Sequence, residues 1–205
     1  MLLDEYLDRN FPNLPICPPL FYNWNIGIRF ELGDPKEEND IKYMERVYKR
    51  ALTLFKSIND KNDEIYLISY DDRLIKNRFK NKYKTKFFTS YLQDKNDKYR
   101  IQINDLPFQN PEEVEDNEWC TLRYVMKCKS KDLKIFSLLK SYFNTNMARI
   151  YFVNLNKGTI FHIYDDRGCD LIASKIESIK NIYITYNDWI LDYDREKIDK
   201  LFKDK

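Results

Sequence analysis

The stretch Phe21-Tyr22-Asn23-Trp24-Asn25-Ile26-Gly27-Ile28-Arg29-Phe30-Glu31-Leu32-Gly33 decides the fold. It alternates: Trp24, Ile26, Ile28, Phe30 and Leu32 fall on one side, and Asn23, Asn25, Gly27, Arg29 and Glu31 on the other. Successive side chains leave a strand on opposite faces, so this pattern specifies a strand with one buried face. Gly33 ends it. Asp34 suits an N-cap and Pro35 a first helical residue. Ile41, Met44, Val47 or Tyr48, Ala51, Phe55 and Ile58 then recur at helical spacing, which predicts a helix over residues 35–58. The strand's polar face carries Gly27, Arg29 and Glu31, which the strand itself does not require.

Upstream, residues 1–20 read as a leader: a short helix over residues 2–10, then Pro12, Pro15, Pro18 and Pro19 forcing an extended approach to the strand. Downstream, residues 64–70 read as a buried strand. Residues 73–88 carry Arg73, Lys76, Arg78, Lys80, Lys82, Lys84 and Lys86 without an acidic residue, and Ile75, Phe79, Tyr83 and Phe87 four apart predict a basic amphipathic helix, although from Lys80 on the residues also alternate weakly like a strand. Residues 99–103 predict a short strand and 104–118 an acidic loop containing Glu112, Glu113, Glu115, Asp116 and Glu118. The next clean alternation sets Cys120, Leu122, Tyr124, Met126 and Cys128 on one face and Thr121, Arg123 and Lys127 on the other. Cys120 and Cys128 then lie about 26 Å apart by strand rise and cannot pair. Ser130 is expected to cap a helix carrying Leu133, Phe136, Leu138 or Leu139, and Phe143. The last third predicts a meander of strands over 150–155, 159–164 and 169–173, with turns at Asn156-Lys157-Gly158 and Asp165-Asp166-Arg167-Gly168. Ser174 and Glu177 fit a capping box before another helix, and a final helix carries Ile198, Leu201 and Phe202. Hairpins with single helices between them specify one α+β domain over residues 1–205, a mostly antiparallel sheet with helices packed mainly on one face.

Composition narrows the function. The 205 residues are 43% hydrophobic and 33% charged, which is the balance of a folded protein. Four glycines argue against a Gly-rich phosphate loop. A net charge of +2 gives no general attraction to nucleic acid or membrane. The single histidine, His162, excludes a multi-histidine metal site. No apolar stretch spans a membrane, and the acidic N-terminus is unlike a signal peptide, so the expectation is a cytoplasmic protein with reduced thiols.

The opening stretch, Tyr43-Met44-Glu45-Arg46-Val47-Tyr48, Lys157-Gly158-Thr159-Ile160-Phe161-His162-Ile163-Tyr164-Asp165-Asp166-Arg167-Gly168-Cys169-Asp170, and Tyr186-Asn187-Asp188-Trp189-Ile190-Leu191-Asp192-Tyr193-Asp194-Arg195 together carry a resemblance. The chain resembles, over nearly its whole length, an uncharacterised domain-of-unknown-function family found mainly in low-GC Gram-positive bacteria. The resemblance implies no established reaction. Small cytoplasmic proteins of such bacteria often serve as immunity partners of toxins, and that is the analogy it offers.

The residues themselves offer three readings. The leading expectation is a non-enzymatic cytoplasmic protein-binding module, an immunity-type inhibitor of a toxin, with Arg29, Glu31, Asp166 and Arg167 as binding residues. The second is a metal- or histidine-dependent enzyme acting on a phosphorylated or nucleotide substrate, with Arg29, Glu31, His162 and Asp165 converging in one pocket, since histidine titrates near neutrality and arginine holds phosphate oxygens. The third is nucleic-acid binding through Arg73, Lys76, Arg78 and Lys80. No cofactor and no metal ligand set is assigned from the sequence.

Overall fold

Seven strands form one sheet in the computed structural model, which describes residues 1–77, 90–94, 101–108, 118–144 and 149–203. In chain order they are β1 (Gly27–Glu31), β2 (Glu64–Leu74), β3 (Gln102–Pro107), β4 (Trp119–Lys129), β5 (Ile150–Asn154), β6 (Thr159–Ile163) and β7 (Gly168–Ala173). Their order across the sheet is β1-β7-β6-β5-β2-β4-β3, and every neighbouring pair is antiparallel. Among the described residues there are five α-helices: α1 (Leu3–Asn10), α2 (Asp40–Ile58), α3 (Ile135–Asn144), α4 (Glu177–Thr185) and α5 (Arg195–Lys203). The predicted single α+β domain with an antiparallel sheet is what forms.

Four helices share one face. Val47, Ala51, Leu54 and Phe55 of α2, Leu138 and Leu139 of α3, Ile179 of α4, and Ile198 of α5 pack with Ile28, Phe30, Leu67, Tyr124, Met126, Phe152 and Phe161 of the sheet. The opposite face is also buried. Leu3 and Tyr6 of α1, with Phe11, Ile16 and Leu20, cover Tyr66, Ile68, Val125, Tyr151, Val153, Ile160 and Ile172. The leader is therefore the second covering layer of the sheet. This explains why β5, β6 and β7 are buried at every position and read as continuous apolar runs.

Several expectations are corrected. The first strand starts at Gly27; Leu20–Asn23 is a 3₁₀ turn. Trp24 leaves the side of Ile28 and Phe30 and joins the leader, 5.3 Å from the Phe11 ring, where its indole N–H donates to the Ala173 carbonyl at 2.7 Å. A half-buried indole N–H needs such a partner, and the leader supplies the apolar cover. Asp34 caps a turn, not a helix: its Oδ1 accepts from the Lys36 amide, while the Asn39 side chain accepts from Ile41 and Lys42 at the head of α2. Ile41 is consequently 72% exposed. Arg73 lies on β2, which runs to Leu74, and Ile75–Asn77 is a 3₁₀ turn, so the expected helix fails where it is described; Arg78, Lys80 and the rest of residues 78–88 lie outside the described residues. The expected loop over 104–118 begins as strand, because residues 104–107 pair with β4; its acidic residues 112–117 lie outside the described residues. Ser130 opens the 3₁₀ turn Ser130–Asp132, α3 begins only at Ile135, and Phe136 faces outward. Finally, α4 starts at Glu177 behind Ile176, and no side chain caps it; the Ser174 and Glu177 box is not made.

Candidate functional site

Arg29 sits between Ile28 and Phe30, which are inserted in the helical core, so its side chain emerges on the leader side of β1. Register then builds a polar row across four strands. Arg29 pairs with Asp170, Asp170 with His162, and His162 with Tyr151. The Arg29 Nε donates to Asp170 Oδ1 at 3.1 Å, and its Nη1 donates to Asp194 Oδ2 at 3.1 Å and to the Tyr22 hydroxyl at 3.1 Å. Tyr22 in turn donates to Asp194 Oδ1 at 2.8 Å, and the Phe21 amide donates to Asp170 Oδ2 at 3.1 Å. The rings of Tyr22 and Tyr164 lie 5.2 Å from the guanidinium carbon, and Lys197 Nζ lies 4.5 Å from the Phe21 ring centre.

Burial sets the electrostatics. The Asp170 side chain is 1% exposed, and desolvation pushes its pKa up to about 6 against the attraction of Arg29 and the Phe21 amide. Burial also works against the Arg29 charge, but Asp170, Tyr164 and Asp194 together hold its pKa above the ordinary value. Each Asp170 oxygen accepts one hydrogen bond, and burial keeps the carboxylate away from solvent. The cluster is a clamp. It joins the leader through Phe21 and Tyr22, the edge of the sheet through Arg29, and the C-terminal segment through Asp194. Gly27 belongs to it as well: a Cβ there would approach Phe21 Cδ2 and Ile172 Cγ2 at 3.1 Å, so the missing side chain lets the leader lie close on β1.

The other expected site residues go elsewhere. Glu31 Oε1 pairs with Arg46 at 3.4 Å and Arg50 at 3.8 Å, and Arg46 also holds Asp34 at 2.7 Å. Asp165 accepts from the Arg167 amide and Nε, both at 2.8 Å, and closes its own turn. Asp166 contributes its carbonyl, which accepts from the Gly33 amide at 3.1 Å. His162 is 1% exposed and stacks on Tyr151 with ring centres 4.1 Å apart; its Nδ1 contacts the Ile150 carbonyl at 2.8 Å. Desolvation pushes its pKa down to about 4. Arg29, Glu31, His162 and Asp165 thus each have partners of their own, and among the described contacts none of the four is hydrogen-bonded or ion-paired to another. Arg73 is on a strand and pairs with Asp71; Lys76 sits in the following 3₁₀ turn.

The residues that complete the Arg29 cluster are Tyr22, Tyr164, Asp170, Asp194 and Lys197, none of which was singled out from the sequence. Asp170 did leave a signal: it is the one charged residue within the apolar strand β7, and such a carboxylate needs a cation across the sheet. Four of these five, all but Lys197, lie in the long stretches that carry the family resemblance. The remaining stretch, over residues 43–48, meets the same strand end through Tyr43 against Gly33 and Arg46 against Glu31. The profile of a domain of unknown function, DUF3885, matches residues 3–194 and so includes this whole junction apart from Lys197. The chain belongs to the DUF3885 family. It is 30% identical over 213 aligned residues to the Bacillus subtilis (strain 168) protein named Uncharacterized protein YnaE, covering 94% of this chain and 99% of that one. No solved structure matches this DUF3885 chain.

Proposed function

We propose that this DUF3885 protein is a non-enzymatic cytoplasmic protein-binding module, and that the partner is a toxin which it inhibits. The observation that carries the proposal is the side chain of Tyr193, which is 86% exposed although both of its neighbours are engaged in the fold's ion pairs. Asp194 is fixed by Arg29 and Tyr22, and Asp192 receives Arg195 Nε at 3.1 Å. A large aromatic on a pre-ordered turn loses little freedom on binding, and tyrosine is a favoured interface anchor. Tyr22, 45% exposed, stands on the other side of the Asp194 carboxylate. Among the described residues no helix is long and apolar enough to cross a membrane.

The test has two parts. Immobilised wild-type protein is expected to retain a partner that Tyr193→Ala and Tyr22→Ala release, with all three folding alike. Equal retention by the variants would defeat the binding surface. Co-expression with a toxin-like reading frame adjacent to a DUF3885 gene is expected to restore growth, and absence of such frames beside these genes would remove the immunity role.

A further inference from the structure

A second feature lies away from Tyr193. Between α1, the leader residues that follow it and strands β2, β3 and β4 is a cleft of about 540 Å³, a volume suited to a small molecule. Leu7 of α1, Leu14 of the leader and Leu106 of β3 line it. Each is only partly buried against the core beneath the leader, so each leaves apolar surface facing the cleft. Apolar walls gathered from three separate elements favour an apolar guest.

Tyr70 of β2 brings a polar group to the same cleft. The residue is 5% exposed, and its hydroxyl makes no hydrogen bond of ordinary length among the described residues. Arg123 is close enough to act on it, but the two Nη atoms of Arg123 go to Asp4, at 2.7 and 2.8 Å. Unlike the Tyr151 hydroxyl, which is sealed off, the Tyr70 hydroxyl is open to the cleft. Burial pushes its pKa up to about 12, so at neutral pH it stays an O–H donor. A buried tyrosine normally finds a partner for that group, so an unpaired donor on a cleft wall calls for an acceptor oxygen in the ligand. Charge defines the other end. Asp4, Asp8 and Arg123 are the charged residues of the lining. Asp4 and Arg123 neutralise each other, and Asp8, exposed one turn further along α1, has no ion pair among the described residues. The cleft therefore keeps one net negative charge, which suits a cation.

We infer that this cleft binds a small amine with an apolar body and a carbonyl oxygen, the chemistry of a hydrophobic amino-acid amide. The apolar body lies against Leu7, Leu14 and Leu106, the carbonyl accepts from Tyr70, and the ammonium stands near Asp8. Cys17 lines the same cleft and its thiol is partly exposed, so an occupied cleft shields it from reagents. Neither Tyr193 nor Tyr22 lines the cleft, so this site stands or falls apart from the surface proposed above.

Two-dimensional amide NMR of the ¹⁵N-labelled full chain tests this, with phenylalaninamide, phenethylamine and N-acetylphenylalaninamide as probes. Phenethylamine lacks the carbonyl, and the acetylated amide lacks the cation. Phenylalaninamide is expected to give saturable shifts over residues 7–17, Tyr70 and Leu106 with a Kd of about 1 mM or tighter, and the other two probes to bind more weakly. At saturation it should slow alkylation of Cys17 by iodoacetamide several-fold. Tyr70→Phe, which removes only the unpaired hydroxyl, should weaken phenylalaninamide about threefold to tenfold and leave phenethylamine unchanged. Asp8→Asn, an exposed change, should weaken both amines about threefold and leave the acetylated amide unchanged. The site is overturned if phenylalaninamide does not saturate, if the shifts fall elsewhere, or if its binding leaves Cys17 alkylation as fast as before. Equal binding of the acetylated amide, or no effect of Asp8→Asn, overturns the cationic assignment. Equal binding by Tyr70→Phe overturns the carbonyl assignment.

Discussion

Arg29 holds two buried carboxylates, so its loss strands both. Arg29→Met is expected to destabilise the fold by about 3–5 kcal/mol, the usual cost of breaking a buried ion pair from one side. Arg29→Lys keeps the charge but cannot reach Asp170 and Asp194 with a planar fork, and should recover only part of the loss. Urea unfolding of the three proteins checks this; a loss below about 1 kcal/mol in Arg29→Met would mean that the clamp carries no stability.

His162 and Asp170 are neighbours in register and titrate in opposite senses. His162 has a folded pKa of about 4, below its ordinary 6.5, so its contribution is present above 6.5 and is lost as pH falls through about 4. Asp170 has a folded pKa of about 6, above its ordinary 3.8, so its contribution is present below 3.8 and is lost as pH rises through about 6. Each amounts to about 3 kcal/mol, and between pH 4 and 6 they oppose one another. Removing one should uncover the other. Compared with wild type, His162→Gln should gain stability on acidification from pH 7 to 4.5, and Asp170→Asn should lose it more steeply. Parallel melting-temperature profiles for all three would contradict both assignments. The sequence marked Arg29 but not its partners, because pairing to residues roughly 140 and 165 positions away depends on sheet register, which no local pattern encodes.

At the scale of elements, local chemistry was legible wherever it stood alone. The β5–β7 meander followed from its two turns, and β4 from its alternation. Misreadings fall where a distant element redirected a local signal. Trp24 fits the strand pattern but is captured by the leader, and Asp34 fits a cap but is bound by Arg46. The thiols give a test of element placement. Cys120, Cys128 and Cys169 are buried, and desolvation raises the Cys169 pKa well above its ordinary value, whereas Cys17 is partly exposed. A thiol reagent should therefore modify Cys17 alone in the native protein and all four cysteines after denaturation. Rapid native labelling of Cys120 or Cys128 would contradict the placement of β4.

For the whole molecule, the largest departure from expectation is the leader's role. A stretch rich in proline has little periodicity, so nothing in its own pattern shows that it covers the second face of a sheet. Leu3, Tyr6, Phe11, Leu20 and Phe21 are all buried, and each fully buried apolar side chain contributes roughly 1.5–3 kcal/mol. Deleting residues 1–23 should exceed the total stability of an ordinary domain and leave a chain that binds a hydrophobic dye and melts without a cooperative transition. A truncated protein with a sharp melt would show that the leader is dispensable.

The strand order also has a consequence for synthesis. β1 leaves the ribosome early, but its neighbour among the described strands, β7, lies about 140 residues later in the chain. At 5–20 residues per second the nascent strand waits roughly 7–28 s. Through that interval Ile28 and Phe30 lack the strand that pairs with them, and the Asp194 turn that clamps Arg29 is made later still.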